Sequence, residues 1–202
     1  MNRTLLYSLL RQFLYLITLT VIVFIFWKIG DTFKSATVQE YGMFETMQSI
    51  VLGLIAVSFG FQAYHNKDYR PILFSLSMLA LAALVREQDA YLDKLIPYIG
   101  WTWCWLFPIS GLIYLIRSRR TIRATMETFL KSNCFHMMVT AIIIIIPIAQ
   151  CLGHRSFLAD LLGDTKINSF LVRRILEEPI ELIGYIQILL ASVESSLELR
   201  KK

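Results

Sequence analysis

Long apolar segments separated by short polar ones run along the whole chain. A helix needs about 20 apolar residues to cross the hydrocarbon core of a bilayer. The segments that approach this length predict an all-α fold, a polytopic membrane helix bundle of about six transmembrane spans: residues 12–30, 44–64, 71–90, 97–116, 133–153 and 179–198. No linker, low-complexity tract or internal repeat separates them, so residues 1–202 are interpreted as a single integral membrane domain.

The overall composition supports a membrane protein. The chain is 56% hydrophobic and 17% charged, whereas soluble domains carry about 25% charged residues. The net charge of +5 is interpreted as cytoplasmic anchoring. No nucleic-acid-binding motif is present, so we expect no nucleic acid as a partner.

The distribution of charge predicts the orientation. If the N-terminus lies in the cytoplasm, most of the 20 Lys and Arg residues fall on the inner side, and most of the 15 Asp and Glu residues on the outer side. Tryptophans prefer the membrane interface, and all four then lie at the outer one: Trp27, Trp101, Trp103 and Trp105. This pattern predicts an N-in, C-in protein of a bacterial inner (cytoplasmic) membrane.

Two further stretches predict short interfacial amphipathic helices. Within residues 117–132, Ile122, Met126, Phe129 and Leu130 share one face of a helix whose opposite face is basic. Residues 169–178 predict a second such helix, and Pro179 is placed to start the last span because proline is favoured in a helix's first turn.

Charged clusters lie at the predicted outer ends of the spans. They read EYGMFE, REQDAYLD, GHRSFLADLLGD and RRILEEPIE. An ionisable group inside a span costs at least about 2.5 kcal/mol and usually marks a function. The clusters therefore predict a ligand-binding site at the outer-leaflet mouth, formed by Glu45, Glu87, Asp89, His154, Arg173, Arg174, Glu177, Glu178 and Glu181.

Each of these charges also has a structural explanation. Glu181 in a helix's first turn gains about 0.3–1 kcal/mol from the helix dipole. Arg86 with Glu87, and Arg173 and Arg174 with the following glutamates, could pair at the surface, where such pairs contribute roughly 0–1 kcal/mol. It is the gathering of several such groups at one level that favours a site.

The leading functional hypothesis is binding at this mouth. The ligand is a lipid headgroup, an anionic molecule or a protein partner, and the arginines would hold phosphate or carboxylate groups in bidentate fashion. The expected partners are membrane lipids and a membrane or periplasmic protein.

Two alternatives remain open. One is a carboxylate- and metal-dependent enzyme acting on a lipid-linked substrate, with a divalent cation as cofactor and Glu45, Glu87, His154 and Glu181 as its ligands. No hydrolase motif identifies catalytic residues, and the topology separates His154 from the other two histidines. The other is a small transporter, which ranks lower because acids are nearly absent from the inner half of the predicted spans.

The chain has 3 cysteines, Cys104, Cys134 and Cys151, without the spacing of a metal site. They are interpreted as small apolar residues inside spans. The topology would allow a disulfide between Cys104 and Cys151 but does not require it.

Overall fold

The computed structural model describes residues 3–32, 43–89, 92, 100–154 and 176–200, and these residues form helices and turns without any strand. A 3₁₀ turn at Gly100–Trp105 precedes the fourth α-helix. The α-helices are α1 (Arg3–Thr32), α2 (Met43–His65), α3 (Arg70–Glu87), α4 (Leu106–Arg117), α5 (Arg119–Leu130), α6 (Asn133–Gly153) and α7 (Glu178–Leu199). The predicted all-α fold is confirmed.

Three of the described helices are long and apolar enough to cross a membrane: Phe44–His65, Asn133–Gly153 and Glu178–Leu199. They coincide with the predicted spans 44–64, 133–153 and 179–198. The other predicted spans lie on less suitable helices, since the apolar part of α1 is Leu10–Ile25 and α4 has 12 residues. The N-in, C-in topology and the remaining spans stay predictions.

Helix α7 is the central element of the described bundle. It packs against α2 on one side and α6 on the other, with α1 also in contact. Helix α2 packs in turn against α3, and α3 against α4. The most deeply buried large apolar side chains lie along these contacts: Leu52, Ile55, Phe59, Leu73 and Leu182.

Helices α6 and α7 approach each other closely at Gly184. A Cβ atom there would overlap the side chain of Ile145 and would lie 3.3 Å from the carbonyl oxygen of Ala141. Small residues at such contacts let helix backbones approach within a membrane. Opposite Gly184, α6 has a π-helical turn at Ile144–Ala149 that contains Pro147, because proline lacks an N–H and disrupts regular α-helical bonding.

The predicted amphipathic helix within residues 117–132 is present as α5. Its Ile122 and Phe129 are buried and Met126 is partly buried against the protein core, whereas Leu130 is exposed. The apolar face of α5 therefore packs at least in part on the protein itself. Residues 169–175 of the second predicted amphipathic helix lie outside the described residues.

All three cysteines are free thiols. Cys104 and Cys134 are buried and Cys151 is exposed. No disulfide therefore joins Cys104 to Cys151.

Candidate functional site at one end of the bundle

Four helix ends meet at one end of the described bundle, which we call the mouth. It is formed by the beginnings of α2 and α7 and the ends of α3 and α6. Side chains from all four take part in hydrogen bonds there: Gln48 of α2, Glu87 of α3, Gln150 of α6, and Glu181 and Tyr185 of α7. The described parts of the predicted charged clusters thus lie close together.

Gln150 joins two buried carboxylates. Its side-chain nitrogen donates to Oε1 of Glu177 at 2.9 Å and to Oε1 of Glu181 at 3.0 Å. Both glutamates are buried, with 8% of their surface exposed. Gly153, one turn beyond Gln150, leaves room for Glu177, because a Cβ atom there would overlap its carboxylate.

The start of α7 explains why Glu177 and Glu181 share a face. Pro179 lies in the first turn of α7, as predicted, and Glu177 before it already has helical backbone angles of φ −66° and ψ −55°. Residues four apart on a helix are neighbours. The helical path therefore continues across Pro179 and aligns the two carboxylates toward Gln150.

A second carboxylate pair links α3 to α7. Tyr185 Oη, one turn after Glu181, donates to Oε1 of Glu87 at 3.2 Å. The charges of Glu87 and Glu181 lie close enough to repel each other, and the charge of Arg86 acts favourably on both. Arg86 is exposed and forms no ion pair with any described residue. Neutral donors, Tyr185 and Gln150, are therefore the hydrogen-bonding partners of this pair.

Gln48 supplies a further acceptor at the mouth. Its side chain is completely buried and its nitrogen donates to the carbonyl oxygen of Glu178 at 3.1 Å. Its Oε1 atom is buried and accepts no hydrogen bond from the described part of the chain. The acceptors of the mouth thus outnumber the donors that the described residues direct at them.

The remaining predicted site residues lie around this centre. Glu45 is partly buried and Asp89 is exposed, and both charges act on Glu87. Glu178 is buried in the first turn of α7. His154 is exposed just after α6. Arg173 and Arg174, on which the anionic-ligand hypothesis depends, lie outside the described residues.

The metal-dependent alternative requires Glu45, Glu87, His154 and Glu181 as ligands. Within the ranges that the structure describes, no three or more His, Cys, Asp or Glu side chains form a group that could hold a metal ion. The described geometry therefore does not bring these four side chains together as a ligand set.

The sequence interpretation missed a second polar cluster, at the opposite end of the bundle. Glu194 of α7 is completely buried and forms an ion pair with Arg11 of α1. Tyr15 Oη donates to Glu194 at 3.0 Å, and the Asn133 side chain donates to it at 3.4 Å. Glu194 is thus a completely buried acid within the apolar helix α7, and its position inside that helix was the available signal.

No family model, no curated protein and no solved structure matches this chain.

Proposed function

We propose that this chain is a multi-pass inner-membrane protein whose outer-leaflet mouth binds a primary ammonium group, carried by the headgroup of an aminophospholipid such as phosphatidylethanolamine. The observation that supports this is the pair of carboxylates Glu87 and Glu181, which are held by neutral hydrogen-bond donors. This proposal keeps a lipid headgroup as the ligand, but the group of the headgroup that contacts the mouth is a cationic ammonium and not an anion.

The charge balance at the mouth favours a cation. Burying a carboxylate is costly unless an opposite charge and hydrogen bonds compensate it. Tyr185 and Gln150 give Glu87 and Glu181 one hydrogen bond each and no charge. Arg86 acts on both carboxylates without pairing with either, and a bound ammonium group would supply a positive charge in direct contact with them.

The hydrogen-bond balance favours the same ligand. An ammonium group has three N–H donors and no acceptor. Glu87, Glu181 and the Oε1 atom of Gln48 offer acceptors at the mouth. An anionic ligand would instead meet the repulsion of both carboxylates.

A small transporter is the second candidate, and Glu194 is the observation in its favour. Along α7, polar groups occur at several depths: Glu181, Tyr185, Ser192 and Glu194 are all buried. Intramembrane ionisable groups of this kind mark proton and ion paths in transporters. Between Tyr185 and Ser192, however, the buried residues of α7 are Ile186 and Ala191, both apolar.

The proposal is tested with the full chain purified in detergent and examined by native mass spectrometry. Phosphatidylethanolamine and phosphatidylglycerol are offered in equal amounts to the wild type, to Glu87→Gln and to Glu181→Gln. We expect the wild type to prefer phosphatidylethanolamine, and each variant to lose about tenfold in its affinity, since a hydrogen bond to a charged group contributes about 1.5–3 kcal/mol.

Glu127→Gln is the matched control. Glu127 is an exposed acid of α5, paired with Lys131 away from the mouth, so its substitution should leave lipid preference unchanged. Equal retention of both lipids by the wild type would contradict the proposal. A divalent ion that is bound by the wild type and lost in Glu181→Gln would replace it with the metal-dependent enzyme.

A further inference from the structure

A groove of about 400 Å³ lies between α2 and α7, toward the ends where both helices finish, and thus away from the mouth. Its walls are apolar for the most part, and polar groups lie at distinct levels along it. The lining residues are Val57, Ser58, Phe61, Gln62, Val193, Ser196, Leu197 and Arg200. Exposed apolar side chains on its walls, Val57, Phe61 and Val193, would face lipid in a membrane.

Ser58, Ser192 and Gln62 direct all their side-chain hydrogen-bond donors at acceptors within the protein. Ser192 Oγ donates to the carbonyl oxygen of Leu189 at 2.7 Å, so Ser58 is the donor in its 3.0 Å hydrogen bond with Ser192 Oγ. The side-chain nitrogen of Gln62 donates to Ser58 Oγ at 3.2 Å and to the carbonyl oxygen of Ser192 at 2.9 Å. Two hydroxyl and two amide hydrogens thereby all have acceptors.

The side-chain oxygen of Gln62, in contrast, accepts no hydrogen bond from the described residues. Gln62 is 5% exposed, and this oxygen, its Oε1 atom, is buried. The orientation of the amide is fixed, because the carbonyl oxygen of Ser192 can only accept and therefore has to face the Gln62 nitrogen. A ligand that satisfies Gln62 must bring a hydrogen-bond donor.

Arg200 adds a positive charge at the end of the groove. It directly follows α7, is exposed, and forms no ion pair with any residue in the described ranges. Ser192, which hydrogen-bonds Gln62, precedes Arg200 by eight residues, or about 12 Å of helix rise. The long Arg200 side chain lines the same groove. One extended ligand could therefore bind both the guanidinium group of Arg200 and the Oε1 atom of Gln62.

We propose that this groove binds a lysophospholipid, a phospholipid with a single acyl chain. Its phosphate would pair with Arg200, its free glycerol hydroxyl would donate to Oε1 of Gln62, and its acyl chain would lie along Val57, on the side of Gln62 away from Arg200. The order of these groups along the groove, charge, donor and then apolar chain, matches the order in the lipid. In a diacyl phospholipid the two acyl-bearing oxygens of the glycerol backbone are both esterified, so this part of the lipid offers only acceptors at the level of Gln62.

This inference is independent of the mouth, which lies at the other end of α2 and α7. The two proposals therefore fail separately: substitution of Glu87 or Glu181 should not affect the groove, and substitution of Gln62 or Arg200 should not affect the mouth.

The test compares three probes bound to the full chain in detergent, by native mass spectrometry or microscale thermophoresis. They are 1-oleoyl-lysophosphatidylcholine, its 2-O-methyl ether and dioleoylphosphatidylcholine, whose choline headgroup has no hydrogen-bond donor. The ether differs from the first probe by loss of the hydroxyl donor and gain of one methyl group. We expect the lysolipid to bind about tenfold more tightly than either of the others, because they leave the Gln62 oxygen without a donor.

Variants assign the contacts. Arg200→Ala should weaken lysolipid binding and reduce its dependence on salt, whereas Arg123→Ala, which removes an exposed arginine of α5, should leave it unchanged. Gln62→Leu should abolish the difference between the lysolipid and its methyl ether. Should Gln62→Leu fail to fold, the methyl ether still tests the hydrogen bond in the wild type. Equal binding of lysolipid and ether, or an Arg200→Ala variant that binds normally, would overturn the proposal.

Discussion

Glu194 illustrates what burial does to a single charge. The carboxylate is completely buried and is surrounded by Arg11, Tyr15 and Asn133, which supply a charge and hydrogen bonds. Glu127 and Lys131 form an ion pair at 2.6 Å on the surface, where their side chains are 72% and 74% exposed. The chain thus contains a buried and an exposed ion pair that can be compared directly.

We expect Arg11→Ala to lower the free energy of unfolding by about 3–5 kcal/mol, because it leaves the Glu194 carboxylate buried without a counter-charge. Lys131→Ala should cost about 0–1 kcal/mol, since an exposed pair contributes little. Thermal or denaturant unfolding of both variants in the same detergent measures the difference.

A double variant separates the charge from the packing. Arg11→Met combined with Glu194→Gln removes both charges but keeps side chains of similar length, and it should be more stable than Arg11→Ala alone. If Arg11→Ala and Lys131→Ala destabilise the protein equally, Glu194 is not held by its ion pair.

Only some of the buried polar residues could be predicted from the sequence. That Glu181 and Glu87 belong to one end of the bundle followed from their positions at the ends of apolar segments. The partner of Glu194 did not, because Arg11 is 183 residues away in sequence and meets it only through the packing of α1 against α7. Gln48, Gln150 and Tyr185 were missed as site residues for the same reason: neutral side chains acquire a role at the mouth from what they contact.

At the level of the helices, the contact between α6 and α7 requires a residue without a side chain at Gly184. Gly184 admits the side chain of Ile145 where any larger residue would overlap it. Length and hydropathy predicted these two helices correctly. Two local features were not predicted: the π-helical turn at Ile144–Ala149 and the continuation of the helix across Pro179. Whether a proline interrupts a helix depends on the packing of neighbouring helices as well as on the proline itself.

Gly184→Ala should destabilise the protein by about 1–3 kcal/mol, the usual cost of inserting an atom into a packed contact. Gly53→Ala is the matched control within another apolar helix, since a Cβ atom there would have no neighbour within 4 Å. Because alanine is the better helix former by up to about 1 kcal/mol, this control should be neutral or stabilising.

Unfolding of the two glycine variants under identical conditions provides the measurement. Equal stability would mean that α6 and α7 separate enough to accept the methyl group at Gly184. A further variant, Gly184→Ala with Ile145→Val, should recover part of the loss, because it removes a methyl group from the residue that the new Cβ meets.

On the scale of the whole molecule, the two ends of the bundle differ in chemistry. The mouth gathers Glu87, Glu177, Glu178 and Glu181 at one end of α7. The other end has the basic surface of α5, the ion pair of Arg11 with Glu194, and the groove that ends at Arg200. Acidic outer and basic inner ends are the arrangement that the charge distribution of the sequence predicts.

This arrangement predicts which parts of the chain are accessible from each side of the membrane. His154 and Lys131 are both exposed, and they lie beyond opposite ends of α6. In a background with all three cysteines replaced, a membrane-impermeant maleimide should label His154→Cys in intact cells. It should label Lys131→Cys only after the membrane has been permeabilised. The reverse pattern would turn the mouth toward the cytoplasm, whereas labelling of both positions from one side would mean that α6 does not cross the membrane.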